Sequence, residues 1–456
     1  MTNKQFTLLK YVVFGIAFIA LFLPNPSHSQ NNTDPSGPLS SLDDCIGYAL
    51  THQPELNQTQ IEEEINKSNI RIATSGWWPQ LSASANLQHY LKQPVVIFPD
   101  FTDPNGPKRK ITTGVLNSSG VQFSATQHLY NTDLLFAGKT APDYRSLASE
   151  NTRRSKIDVV VDVSKAFYDV LLSRQQIKVL AEDIQRLEKN TKDAFNLFQN
   201  GVADKTDFQR AQIALNNARV AERHAAEAII FKYAYLKQVM GFPSDSSISI
   251  AFDSTSVADL AAVDTLQSPD YNKRIEYQIL QTHLRLQHDE VDYYKWSFLP
   301  SLSAFYNYNL VYQNDIFSEL YNQNFPNSLI GLSLNLPLFQ GTKRIQNLNI
   351  ARLQYKQSEL AVQDLKSRIN TEYTLAMATY KSNLLQLSTD EENVKNAREI
   401  YNIISLQYNH GIKTYLDVIV AETDLRTAEL NYLDTLFQVL SSSLDLKKAL
   451  GIITIQ

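Results

Sequence analysis

Phe198-Gln199-Asn200-Gly201 and Tyr408-Asn409-His410-Gly411 are the two stretches on which the architecture turns. Each opens a run of 39 residues without Gly or Pro, and each run closes on another glycine, Gly241 in the first case and Gly451 in the second. Asp207 lies six positions past the first glycine, and Asp417 lies six past the second. A glycine behind a long helical run supplies the left-handed residue that ends a helix. Two such helix–turn–helix units in the same frame predict a tandem duplication, and a repeated architecture is a statement about assembly.

The runs that lead into these turns are unusually long. Residues 143–200 (58 residues) and 342–410 (69 residues) contain no Gly or Pro. At about 1.5 Å per residue they reach roughly 87 and 100 Å as helices. Val160, Val163, Phe167, Val170, Ile177, Ala181 and Ile184, then Phe195 and Phe198, form a near-heptad stripe. Leu425, Ala428, Tyr432 and Val439 repeat the step in the last helix. Many intervening partners are small or polar, a looser seam than that of a two-stranded coiled coil. The pattern suits helices rolled into a tube; a plain coiled coil is the alternative, but it leaves the strands unexplained.

Residues 81–96 and 120–130 predict one β-hairpin, and 302–313 and 329–339 another, rich in Tyr, Phe, Val, Ser and Asn with period-two alternation. Ser328-Leu329-Ile330-Gly331-Leu332-Ser333-Leu334-Asn335 is the clearest case. Strands of about 10–13 residues cross an outer membrane when tilted. Tyr90, Tyr306, Tyr308 and Tyr312 are candidates for interfacial aromatic girdles. The loops, 98–113 and 314–327, read as exposed ends.

Further landmarks recur in order. Pro54-Glu55-Leu56 matches Pro269-Asp270-Tyr271, and Trp78-Pro79-Gln80-Leu81 matches Leu299-Pro300-Ser301-Leu302. The expected layout is a signal peptide over 1–29, a flexible segment over 30–38, a first repeat over 39–243, a linker over 244–264, a second repeat over 265–452 and a tail over 453–456. Lys4 and Lys10 precede an apolar run over 11–23 that is too short to span a bilayer, and Ser27-His28-Ser29 is a small-x-small cleavage site. The exported chain then carries 40 basic against 47 acidic residues, a net charge of −7, and no basic patch interleaved with aromatics, which argues against nucleic acid. Cys45 is the only cysteine, so no intrachain disulfide forms.

Four strands cannot close around a channel, and open edges are intolerable in lipid. The strands of several chains must therefore combine. Three copies give twelve, although pattern alone allows other copy numbers.

In these residues and their order the mature chain resembles the TolC family of outer-membrane efflux and secretion ducts. The carriers are the Pro54 and Pro269 helix starts, the Trp78-Pro79 and Leu299-Pro300 strand entries, Leu336-Pro337-Leu338-Phe339 with Gly341, and the two helix–turn–helix tips. The resemblance implies a mainly α fold with β: a homotrimer whose four strands per chain build a twelve-stranded barrel in outer-membrane lipid, continued by an α-helical tunnel in the periplasm. It implies passive export as the exit duct of a tripartite efflux or type I secretion system. The partners would be a periplasmic adaptor (membrane fusion protein) and an inner-membrane pump, proton-driven or of the ABC type, with no cofactor or metal.

The resemblance also assigns sites. Thr206 and Asp207 of the first tip and Tyr408 and Lys413 of the second fall where the family latches its closed end. Lys413 stands for an arginine and offers a point charge instead of a fork. Asp417 matches one acidic ring of the tunnel mouth, while Val420 occupies the place of a second. The turns, Asn200, Gly201 and Val202 with His410, Gly411 and Ile412, match the adaptor contact. Plainer alternatives stand beside these: helix-start acids for Asp207 and Asp417, packing for Tyr408, and a solvated loop histidine for His410.

An enzyme is disfavoured, because no phosphate loop, metal-spaced Cys/His cluster or Gly-x-Ser-x-Gly elbow occurs. A periplasmic coiled-coil scaffold or adaptor explains the helices and the export signal but not the strands.

Overall fold

The computed structural model describes residues 41–98, 108–250 and 262–455. The expected signal peptide, the segment 30–38, residues 99–107 of the first hairpin loop, residues 251–261 of the linker and Gln456 of the tail lie outside the described residues.

Helix α1 spans Leu42–His52 and α2 spans Pro54–Thr74. Ser41 and Asp44 form a capping box at the start of α1, each side chain accepting from the other's backbone N–H at 3.1 Å. Pro54 occupies the first turn of α2, where its missing N–H costs nothing, and the Gln53 side chain accepts from Leu56 N. After the strands β1 (Gln80–His89), β2 (Val95–Phe98), β3 (Arg109–Thr112) and β4 (Asn117–Tyr130) comes the long helix α3 (Thr132–Gln199), then α4 (Lys205–Met240). The second half runs α5 (Ile275–Trp296), β5 (Ser301–Asn314), β6 (Asn327–Asn335), α6 (Lys343–Asn409) and α7 (Tyr415–Leu450). The long helices α3 and α6 have 68 and 67 residues, about 100 Å each. The helices that return from them, α4 and α7, have 36 each. Among the described residues no helix is long and apolar enough to cross a membrane.

Some expected boundaries move. The first strand does not run through to Val96: it ends at His89, and residues 90–94, closing on Pro94, interrupt it before β2 pairs with β3 as a separate ribbon. The last strand stops at Asn335 because Pro337 has no N–H to donate to a ladder. Helix α3 starts eleven residues before 143 and contains Pro142. The residue whose carbonyl Pro142 would displace is Gly138, a backbone free to adjust. The seam on α3 also drifts. Between Leu180 and Ala194 the buried positions are Leu180, Asp183, Leu187, Thr191 and Ala194, not Ile177, Ala181 and Ile184. Helix α3 packs against α2, α4, α5 and α7, so its covered face is set by several neighbours and not by one stripe.

The strands order as β1-β4-β5-β6, all neighbours antiparallel, so β4 and β5 join the two halves of the chain. Directly opposed residues share a face. The register places Leu81, Ala83, Ala85 and Leu87 beside Val121, Phe123 and Ala125, then Tyr306, Tyr308 and Leu310, then Ile330, Leu332 and Leu334. The other face carries Gln80, Ser82, Ser84 and Asn86, then Gln122, Ser124 and Thr126, then Ser303, Asn307 and Asn309, then Ser333 and Asn335. Strands β1, β4, β5 and β6 hold no Asp, Glu, Lys or Arg. Phe305, an aromatic on the polar face, lies across Gly331, where a Cβ would sit 2.7 Å from the ring. One face is thus suited to hydrocarbon and the other to water without fixed charge. Among the described residues, β1 and β6 each have a neighbour on one side only.

Helix ends are tied to the start of each half. Gly241 and Gly451 cap α4 and α7 at φ 68° and 69°. A Cβ on Gly241 would lie 2.5 Å from the His52 carbonyl oxygen, and one on Gly451 would lie 2.7 Å from that of Lys273.

Candidate functional site at the paired helix turns

The turns at the far end of the helices are built alike. Gly201 and Gly411 both adopt φ 74°. Val202 N donates to Leu197 O and Ile412 N to Gln407 O, each at 2.9 Å, the six-to-one bond of a Schellman turn. This leaves Val202 and Ile412, 73% and 71% exposed, as the apolar points of the two turns. Helix α4 then starts on Asp204, whose side chain accepts from Thr206 N. Helix α7 starts on Thr414, in a capping box with Asp417.

Four helices meet just above the turns. Ala194 of α3, Ala211 of α4, and Tyr415 and Val418 of α7 form a buried cluster, joined by Phe208, Tyr401, Ile404 and Tyr408. The Tyr408 and Tyr415 rings lie 5.6 Å apart, tilted by 58°. Burial first, and then the nearby Asp207 and Asp193 carboxylates, raise the Tyr408 hydroxyl above its ordinary pKa. The fold therefore brings Tyr408 of the second turn into the field of Asp207 of the first. Among the described residues no hydrogen bond or ion pair within the single chain links Tyr408 or Lys413 to Thr206 or Asp207. Lys413 and Thr206 are exposed. Asp417 accepts from Thr414 Oγ1 at 2.8 Å and from Thr414 N at 2.9 Å, and these bonds, followed by Lys413, hold its carboxyl below the usual value. Asp417 is thus a capping residue whatever else it does. Val420 is exposed.

Polar rungs cross-link α3 and α7, which run antiparallel. Asp158 meets Lys448 at 2.7 Å and Lys165 meets Asp445 at 2.6 Å. Nearer the turns, Asp183 meets Arg426 at 3.3 Å, Arg186 faces Glu422 at 3.4 Å, and Asn190 donates to Glu422 at 3.1 Å. Asp183 and Glu422 are 0% and 2% exposed. Burial pushes Glu422 up to about 7, reinforced by Asp183 and opposed by Arg186 and Asn190. Sequence reasoning did not single out this cluster. Its legible signal is spacing: along α7, Tyr415, Val418, Glu422 and Leu425 follow the 3–4 step, so an acid sits where the seam calls for an apolar residue.

An equivalent rung occurs within each helix hairpin. Glu188 of α3 meets Arg219 of α4 at 2.7 Å, and Arg398 of α6 meets Glu429 of α7 at 2.6 Å. The two pairs stand in the same frame with their charges exchanged.

One group of described residues, His288, Asp289 and Asp292, brings three potential metal ligands together. Lys139 lies 2.9 Å from both carboxylates, and Lys295 lies 2.8 Å from Asp292. The lysines, Lys295 first, hold Asp292 down to about 2. The group is an ion-pair cluster whose negative charge is already met.

Known proteins share this fold along nearly its whole length. The probable efflux pump outer membrane protein TtgC of Pseudomonas putida is 23% identical over 416 residues, covering 88% of this chain and 83% of that protein. A crystal structure of CusC superposes with a TM-score of 0.73 at 16% identity, covering 90% of this chain and 92% of the other. The outer membrane protein VceC of Vibrio cholerae superposes with a TM-score of 0.71 at 17% identity, covering 90% and 96%. The family described as outer membrane efflux protein matches residues 45–241 and 278–452, both helix hairpins and both strand pairs included. The chain belongs to the outer membrane efflux protein family.

Proposed function

We propose that this chain is one third of an outer-membrane exit duct, which passively conducts substrates delivered by a periplasmic adaptor and an inner-membrane pump. The observation that carries it is the two-faced sheet, apolar on one side and polar without charge on the other, seated on helices about 100 Å long. Among the described residues both outer strands of the sheet have a free edge, and its four strands are too few to enclose a lumen. Joining β6 of one copy to β1 of the next removes every edge when the ring closes. Three copies give a twelve-stranded barrel. The chain itself is a tandem duplication. The matched glycine turns, the equal return helices and the charge-exchanged rungs at Glu188–Arg219 and Arg398–Glu429 support that origin.

The relatives' descriptions support efflux. TtgC is named for an efflux pump, and CusC of Escherichia coli for a cation efflux system. Crosslinking in cells followed by detergent extraction tests the assembly. The expected product is a trimer released by detergent and not by salt, bound to an adaptor and a pump. A proton-driven pump would indicate small-molecule efflux and an ABC pump protein secretion or ATP-driven export. A salt-extracted monomer without partners would overturn the duct.

The adaptor contact is assigned to the exposed turns, Asn200, Gly201 and Val202 with His410, Gly411 and Ile412. The latch is assigned to Thr206, Asp207, Tyr408 and Lys413; the proximity of Asp207 to Tyr408 supports it. Tyr408→Phe combined with Lys413→Ser is expected to raise conductance in planar bilayers several-fold. Unchanged conductance removes the latch. In the same membranes Asp417→Asn keeps an acceptor for Thr414 while deleting the charge. It should weaken cation preference if three such carboxylates ring the mouth, and unaltered selectivity places Asp417 away from the constriction.

A further inference from the structure

A helix seam needs no charge to hold it, and well-packed apolar side chains do so at least as well. The seam between α3 and α7 nevertheless buries two carboxylates, Asp183 and Glu422, against the partly buried Arg186 and Arg426, flanked by Leu180, Leu187, Val418 and Leu425. Their satisfaction is incomplete. Asp183 uses both oxygens, on Arg186 at 3.2 Å and Arg426 at 3.3 Å. Glu422 has one oxygen on Asn190, but its Oε1 and the Arg186 Nε face each other at 3.4 Å without a hydrogen bond. Two turns nearer the tip the Tyr415 hydroxyl is buried without a partner. Unmet buried polar atoms penalise the packed arrangement, and water relieves the penalty once the helices part.

We propose that Asp183, Arg186, Glu422 and Arg426 form a second, buried gating link that joins the two helix hairpins above the latch, and that a proton on Glu422 holds it shut. The proposal deepens the reading of the paired turns as a gate. Through Asn190 to Asp183 the link lies roughly 16 to 27 Å along α3 from Gly201. It joins α3 of the first hairpin to α7 of the second, so the hairpins cannot swing apart while it is made.

The groups that face Glu422 settle the sign. Helix α3 presents Asp183, Arg186 and Asn190, and α6 presents Tyr401, over whose ring the Arg186 guanidinium sits at 5.8 Å. Helix α7 itself supplies Tyr415 and Arg426. Helix α4 meets α3 here through the uncharged Leu215 and Ala218. Burial, then the Asp183 carboxylate, raises Glu422 in the packed state, and burial raises Asp183 likewise. When water enters, Glu422 returns towards its ordinary range and releases the proton. Opening is therefore coupled to proton release, and rising pH drives it.

Single-channel recording of the reconstituted trimer between about pH 5 and pH 8 tests the link. The wild type should open more readily as pH rises, by up to about 100-fold across a step centred below or near neutrality. Glu422→Gln, which still accepts from Asn190, should flatten that step and remain at the acid level. Asp183→Asn, which removes the neighbouring negative charge, should move the step to lower pH. A Glu422→Gln channel that retains the wild-type step overturns the proposal. Thermal unfolding of the same trimers gives an independent reading. A carboxyl whose pKa is raised by folding contributes its full stabilisation below its unfolded pKa and loses it as pH rises from there through the folded pKa, so the wild type should lose more stability than Glu422→Gln between about pH 4 and about pH 7. Parallel profiles overturn the link even if no variant conducts. An absence of conductance in every variant, the Tyr408→Phe, Lys413→Ser pair included, would instead overturn the duct.

Discussion

Leu332→Arg is expected to abolish assembly of the protein in the outer membrane, whereas Ser333→Arg, one position along the same strand, is expected to leave it intact. Leu332 opposes Ala304 and lies between Ile330 and Leu334 on the apolar face. Ser333 opposes Ser303 on the polar face. Arginine facing lipid near the middle of a membrane strand costs about 2–4 kcal/mol, and the proposed trimer would incur it three times. Arginine facing a water-filled lumen keeps its hydration and costs little. The measurement is the yield of folded, heat-modifiable trimer in outer-membrane fractions. Equal yields from the two variants would remove the assignment of faces, because a register slip of one residue exchanges them.

Gly241→Ala and Gly451→Ala are expected to destabilise the helical part far more than Gly201→Ala and Gly411→Ala. All four glycines have φ between 68° and 74°, so alanine meets the same left-handed strain of about 1–2 kcal/mol at each. The surroundings differ. Nothing lies within 4 Å of a Cβ at Gly201 or Gly411. At Gly241 the new methyl would sit 2.5 Å from a backbone oxygen of His52, and at Gly451 2.7 Å from that of Lys273. A backbone neighbour cannot rotate away, so α4 or α7 must separate from the start of its half, at a further cost of about 1–3 kcal/mol. Denaturant unfolding of the extracted protein should rank the variants in that order. If all four lose the same stability, the contacts at Gly241 and Gly451 are not part of the folded protein's packing.

The contrast between these glycines marks how far the sequence was legible. All four were visible as punctuation, because the end of a long Gly- and Pro-free run is a local event. That two of them are turns in open space and two are packing contacts was not visible. It depends on where residues 52 and 273 lie in space. The strands behave similarly. Alternation located β5 and β6, and the Trp78-Pro79 and Leu299-Pro300 pairs marked where β1 and β5 begin, since proline restricts the residue before it and cannot enter a ladder's interior. Alternation did not show the break after His89, where Tyr90 and Leu91 keep an apolar character that reads as strand. At the candidate site, the turns and Asp417 were found as residues, but the capping bonds of Asp417 to Thr414 required the start of α7 to be placed.

Local chemistry alone fixes the kinds and the order of the elements: long helices, glycine turns and two-faced strands. Those follow from φ preference, hydrophobic period and the absence of helix breakers, each of which acts over a few residues. The pairings come from packing. It set β4 beside β5 across the two halves, carried α3 through Pro142 over a glycine, and laid α7 antiparallel along α3 so that Arg426 meets Asp183, 243 residues away. A charged residue declares its charge in the sequence, but its burial, its partner and its proton depend on neighbours that packing alone brings within 4 Å.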